Sequence, residues 1–147
     1  MGRIVDGPDR ALATLAAAVS VRRVRYTASV AEALELLVAT GVEVGGDRDL
    51  ELFALHQRGA GRYHVGTYDA AAPDLTCAAD LARATGRDAV RVACLSILAG
   101  TSLGRSQAAE MRCHAEEAIA LAERRGWGRS RLVTHAPIVG ACAAYTR

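Results

Sequence analysis

Three stretches of the chain close on nearly the same phrase: LLVATG at Gly41, LARATG at Gly86 and LAERRG at Gly126. Glycine directly after an apolar helical segment is the residue that turns left-handed to end a helix at little steric cost. The intervals, 45 residues from Gly41 to Gly86 and 40 from Gly86 to Gly126, are those of a helix pair with its turns. Self-similarity at such a period marks an array of helical hairpins, because each hairpin needs its neighbours to bury its apolar face.

Between the glycines the apolar residues return at helical intervals. Leu52, Leu55, Gly59 and Tyr63 share a face, as do Leu75, Ala78, Ala79 and Ala82, then Val92, Leu95, Ala99 and Leu103, then Ala115, Ala118, Ile119 and Ala122. GVEVGG at 41–46 is too short and too glycine-rich for a strand. The expected fold class is therefore all-α, with antiparallel hairpins stacked into a single domain of about seven helices. Helices are predicted at 9–21, 24–40 or its shorter form 30–40, 48–65, 69–85, 88–103, 107–125 and 130–146. They group into hairpins 9–41, 48–86 and 88–126, leaving 130–147 unpaired, which reads as a piece cut from a longer protein or a helix completed by another chain.

Local signals refine the ends. Asp47 is expected to cap the helix after it, and Ser29-Val-Ala-Glu32 has the spacing of a capping box. Pro73 would remove a donor from a helix interior, so its helix is expected to begin near Ala70 or else to bend there. Trp127, just past Gly126, is expected to pack back onto the helix end.

Composition narrows the function. With 51% hydrophobic and 23% charged residues and a formal charge of +2, neither disorder nor a strongly cationic nucleic-acid surface is indicated. All 18 positive residues are Arg, and Lys and Asn are absent, which reflects a GC-rich genome more than phosphate recognition. Aromatic residues, 4% of the chain, are too few to favour base stacking. The apolar run 11–21 is too short to span a bilayer, and Arg22, Arg23 and Arg25 follow it where a cleavage site would stand. A cytoplasmic protein without a membrane partner is expected, with those arginines lying between helices or touching a preceding domain. Cys77, Cys94, Cys113 and Cys142 are 17, 19 and 29 residues apart and read as buried free thiols of a reducing compartment.

Catalytic chemistry finds little support. Cys113 and His114 are adjacent, and neighbours on a helix point about 100° apart, so a thiol nucleophile would need a distant base such as His135 or His56. Cys94, Cys113, His114 and His135 lack the ligand spacing of structural zinc. Glu116, Glu117 and Glu123 read as solvated helix charges, and a chain without lysine has no phosphate-binding G-x-x-x-x-G-K-[ST] loop. A non-enzyme with no metal and no cofactor is expected.

Gly59, Gly66, Tyr68, Ala71, Leu75 and Ala78 have the alternation of small and large positions of a tetratricopeptide repeat. In the next repeat Gly104 takes the turn, Ala109 and Cys113 the packing positions, and Glu116 falls where a small residue belongs, which reads as a slip of two residues. Val92, Leu98 and Gly100 recur as Leu132, Ile138 and Gly140. CHAEEAIALAERRGW followed by GRSRLVTHAPIVGACAAY resembles the helical-repeat sensor region of large actinobacterial LuxR-type transcriptional regulators, the MalT-like group, over roughly residues 30–147. The resemblance implies a tetratricopeptide-like right-handed superhelix serving as a non-catalytic sensor between a nucleotide-binding ATPase domain and a helix-turn-helix domain. Uncapped terminal hairpins, above all 130–146, would expose apolar faces that favour a dimer or a lost neighbour, and with no recognition-helix segment no nucleic-acid contact by this segment is expected; the resemblance itself implies a small-molecule effector or a protein or peptide as partner. Its groove wall would be Phe53, His56, Tyr63 and His64, then Arg91, Cys94 and Thr101, then Arg131 and Thr134. A protein-interaction scaffold unrelated to transcription and a cysteine-dependent enzyme are the competing readings.

Overall fold

The structure, a computed structural model, describes residues 7–42 and 46–127. Six helices follow one another: α1 (Gly7–Val24), α2 (Val30–Thr40), α3 (Arg48–His64), α4 (Tyr68–Ala84), α5 (Asp88–Gly104) and α6 (Ala108–Arg124). No strand occurs among the described residues. The expected helix 130–146, and with it Arg131, Leu132, Thr134, His135, Ile138, Gly140 and Cys142, lies outside them.

From α3 onward the chain keeps strict time. Each helix has 17 residues, and the left-handed residue after it stands at position 66, 86, 106 and 126, with Gly46 one step earlier. One turn, used four times, sets this interval of 20 residues. After α3, Gly66 N–H donates to the Tyr63 carbonyl at 3.1 Å and Thr67 N–H to that of Arg62 at 2.9 Å, the Schellman pattern. The same two bonds close α4 through Gly86 and Arg87, α5 through Ser106 and Gln107, and α6 through Gly126 and Trp127. The third turn residue also opens the next helix: the carbonyls of Thr67, Arg87 and Gln107 accept from Ala71, Arg91 and Met111.

This interval corrects two readings of the repeat. Gly41 ends α2 and stands outside the series, so the first interval starts out of phase with the ones that follow. Gly104 is the last residue of α5, and Ser106, at φ 61°, makes the turn instead. Equating Gly104 with Gly66 produced the apparent slip; equating Ser106 with Gly66 removes it. Ala115, Ala118 and Ala122 then match Leu75, Ala78 and Ala82 and are buried, whereas Ala109, Cys113 and Glu116 are exposed.

The hairpins bring small residues together. Folding the chain back at Gly66 lays Gly59 on Leu75, where an added Cβ would come within 2.6 Å of Leu75 Cγ, and the corresponding crossing further on joins Ala99 and Ala115. The main core runs through α3 to α6 and includes Leu52, Leu55, Leu75, Ala78, Leu95 and Leu98; a second joins Ala17, Ala18 and Val21 of α1 to Leu37 and Ala54. Each helix packs on the next, and α1 also touches α3, and α3 touches α5. The even-numbered helices make no comparable contact among the described residues. Helices on the inside of a curved stack lie closer together, so α1, α3 and α5 form the inner layer.

Several helix ends differ from expectation. α2 takes the shorter form, starting at Val30, and Ser29 makes no side-chain cap because its backbone is turned to φ −78°, ψ 1°; Thr27 Oγ1 accepts from Ser29 N–H instead, at 3.3 Å. Asp47 does cap α3, accepting from Leu50 N–H at 3.0 Å. Pro73 lies inside α4, which begins at Tyr68 and not at Ala70; the carbonyl left without its amide belongs to Asp69, an exposed first-turn residue open to water. Arg22 and Arg23 belong to the last turn of α1. Trp127 packs on Val92, Leu121 and Ala122. Cys77 and Cys113 are exposed, since each sits beside and not on the buried alanine stripe of its helix; only Cys94 of the three described thiols is buried.

Candidate functional site

Side-chain ion pairs tie the helices to their neighbours. The carboxylate of Asp74 in α4, 5% exposed, accepts from Arg58 Nε at 2.9 Å and Arg58 Nη2 at 2.6 Å, and from Arg62 Nη1 at 2.6 Å. Arg62 also reaches the Ala70 carbonyl at 3.2 Å. Two arginines one helical turn apart thus grip a buried carboxylate across the α3–α4 hairpin. At the rims, first-turn carboxylates Asp49, Asp69 and Asp88 each hold an arginine from a later turn, Arg87, Arg105 and Arg125 respectively.

Between the first turns of α3 and α5 lies a recess of about 120 Å³ lined by Asp49, Leu52, Phe53, His56, Arg87 and Val90. Leu52, Phe53 and Val90 give it an apolar wall. Arg87 and Asp49 form a bidentate pair, 3.0 Å from Nε to Oδ1 and 2.6 Å from Nη2 to Oδ2, which holds the Asp49 carboxyl below its usual range.

His56 supplies the remaining polar group. Gln57 Oε1 accepts from Arg25 Nη2 at 2.8 Å, and Gln57 Nε2 lies 3.2 Å from His56 Nδ1. With its oxygen committed to Arg25, Gln57 donates to the imidazole, so the network assigns the His56 proton to Nε2. That nitrogen is closed off from solvent and has no hydrogen-bond partner among the described residues. Burial above all, then the charges of Arg25 and Arg22, push the His56 pKa down to about 4, and the ring is neutral at pH 7. The unfolded chain protonates near 6.5, so stability contributed by neutral His56 is complete above that pH and is lost as pH falls from 6.5 toward 4. His56 as a residue is half-buried and not fully enclosed, which limits the loss to about 2 kcal/mol at pH 4. Melting temperature should fall more steeply between pH 7 and pH 4 in wild type than in His56→Gln; equal slopes would mean that His56 titrates normally.

The structure divides the groove residues read from the sequence. Phe53 and His56 meet in the recess. Tyr63 and His64 stand two turns further along α3, in a rim cluster where the His64 ring lies edge-on to Tyr26 at 5.0 Å and to Tyr63 at 5.3 Å, and Tyr63 is 5.8 Å from Tyr68. Arg91 is not free for a ligand: it pairs with Glu117 of α6, which corrects the view of Glu117 as merely solvated. Cys94 and Thr101 are fully buried and belong to the core. Burial raises the Cys94 thiol to about 12, and the Thr101 hydroxyl donates to the Ile97 carbonyl at 2.9 Å. They fail as groove residues because they stand two steps along from Ala54 and Gly61, which are buried on α3 as well, so this face of an inner helix turns to its neighbours and not to the groove.

No protein family, curated protein or solved structure matches this chain. The site therefore rests on its own geometry. Among the described residues no three His, Cys, Asp or Glu side chains gather as a metal site would require, and no helix is long and apolar enough to cross a membrane. Sequence reasoning missed Asp49, Leu52, Arg87 and Val90 in the recess and the Arg25–Gln57 support behind His56. A signal for one of them was present: Arg87 follows Gly86 in the recurring turn, next to the first residue of an inner helix.

Proposed function

We propose that this chain is the sensor segment of a cytoplasmic LuxR-type transcriptional regulator of the MalT-like kind, binding its effector, or an anchoring side chain of a protein or peptide, between α3 and α5. The observation that carries the ligand part is the recess itself, whose wall comes from α3 and from the start of α5, two successive inner helices. A molecule filling it touches both hairpins, and the relation between successive hairpins sets the curvature of a stack. A ligand that fits one curvature better shifts the population toward it, and domains attached to the stack read the change. The regulator context rests on the resemblance of CHAEEAIALAERRGW and the segment after it to such sensor regions. The apolar wall of Leu52, Phe53 and Val90 fits a benzene-sized apolar group, with the Arg87–Asp49 pair at its edge.

Val90→Trp fills the recess from the α5 side and tests the reading. A compound from an effector library that raises the melting temperature of the wild-type chain should need at least ten-fold higher concentration for the same shift in Val90→Trp. Equal potency would remove the recess as the binding site. Reading the gene around this segment tests the regulator context separately: a frame lacking both a P-loop ATPase and a helix-turn-helix would leave an interaction scaffold.

A further inference from the structure

α1 turns Thr14, Ala17, Ala18 and Val21 inward, toward α2 and α3. Its opposite face carries Leu12, Leu15 and Val19, which are 66%, 41% and 39% exposed. They stand three and four residues apart, so they form one continuous apolar stripe along the helix. No element among the described residues packs on that stripe. Asp9 stands one turn before it and Arg22 one turn after it, both exposed, and neither takes part in an ion pair among the described residues.

We infer that two copies of this chain associate through α1, antiparallel about a two-fold axis that passes between Leu15 and Ala16. An isologous contact must be complementary to itself, and this face satisfies that demand residue by residue. The axis sets Leu12 opposite Val19 of the second copy and Leu15 opposite its Ala16. It also sets Asp9 opposite the second copy's Arg22, and symmetry makes that ion pair twice. Ala16 at the centre is the small residue that lets two helices approach closely. A parallel pairing in the same register would set Asp9 against Asp9 and Arg22 against Arg22, so the charge pattern selects the antiparallel arrangement. The stripe from Leu12 to Val19 is only about 10 Å long, which places the contact at the small end of specific interfaces and makes a dimer that dissociates on dilution through the micromolar range. This surface is on a different helix from the α3–α5 recess and does not depend on what the recess binds.

Sedimentation velocity of the 147-residue chain, over a dilution series from roughly 200 to 1 µM chosen to bracket a contact of this size, tests the inference. The wild type should shift from dimer to monomer across the series. Asp9→Arg and Arg22→Asp should each weaken dimerisation at least ten-fold, and the double swap should restore it to within about three-fold of wild type, because each single swap sets two like charges face to face and the double swap re-forms both pairs. Leu15→Glu should leave a monomer with an unchanged circular dichroism spectrum and melting temperature, since Leu15 takes no part in the core. Three results would each overturn the proposal: a wild type monomeric at every concentration, a dimer that survives Leu15→Glu, or a double swap no better than the single ones.

Discussion

Asp74→Ala should lower the stability of the chain by about 3 kcal/mol, the low end of what removing one partner from a buried ion pair costs. The carboxylate is buried and grips two arginines, so its loss strands both Arg58 and Arg62 against the α3–α4 interface. The guanidinium groups keep 18% and 21% of their side-chain surface exposed and can turn partly to water, which argues against the upper end of the range. For a chain of this length the change corresponds to a drop of about 10 °C in melting temperature, read by circular dichroism. Asp74→Asn keeps some of the hydrogen bonds and should fall between the two. A loss below about 1 kcal/mol for Asp74→Ala would place these residues with ordinary surface pairs.

Gly59→Ala should destabilise the chain by about 2 kcal/mol even though alanine is favoured over glycine inside a helix by about 1 kcal/mol. The new methyl would lie 2.6 Å from Leu75 Cγ and 3.2 Å from Asp74 Cβ. Leu75 is fully buried, and the clashing atom is its branch point, so it cannot swing away without moving α4. Leu75→Ala alone should cost about 3 kcal/mol as a cavity mutation. The double mutant should be more stable than Leu75→Ala alone, because the alanine methyl at 59 re-enters the space the leucine leaves. Urea denaturation of the three variants measures that coupling; simple additivity would mean the crossing relaxes freely.

These two residues mark the boundary of what could be read from the sequence. Gly59 and Leu75 were legible as a crossing because helical periodicity and a turn glycine at 66 fix which faces meet. The Arg58, Arg62 and Asp74 clamp was equally available in principle, since folding the chain at Gly66 lays 58 over 74 and 62 over 70, but charged residues on a helix look solvated until their partner is known. The helices, their pairing and the buried alanine stripe follow from local periodicity. Their phase does not: Ser106 performs a turn that elsewhere belongs to glycine, and a neighbouring Gly104 drew the repeat two residues out of step.

The site was legible only in part for a related reason. Phe53 and His56 sit on the inner face of α3, as a face count predicts. Cys94 and Thr101 of α5 correspond, two steps back, to Ala54 and Gly61, which are buried on α3 too, and Arg91 is taken by its ion pair with Glu117. Arg87 entered the recess from a turn, where periodicity gives no face at all. Tertiary neighbours, and not local pattern, decide which residues of an inner helix remain available.

The repeated three-residue turn also limits how such a molecule can lengthen. One helix and one turn occupy 20 residues from α3 onward, and each such step reverses the direction of the chain and exchanges the inner layer for the outer. Duplicating a single step would therefore send an inner-facing sequence to the outside with its ends inverted, and its rim aspartates and arginines would meet the wrong neighbours. Only a duplication of two steps preserves polarity, layer and charge partners together. A gene encoding this architecture can gain or lose hairpins, but single helices are forbidden currency for its evolution, and any insertion that respects the fold has to arrive as an even number of steps.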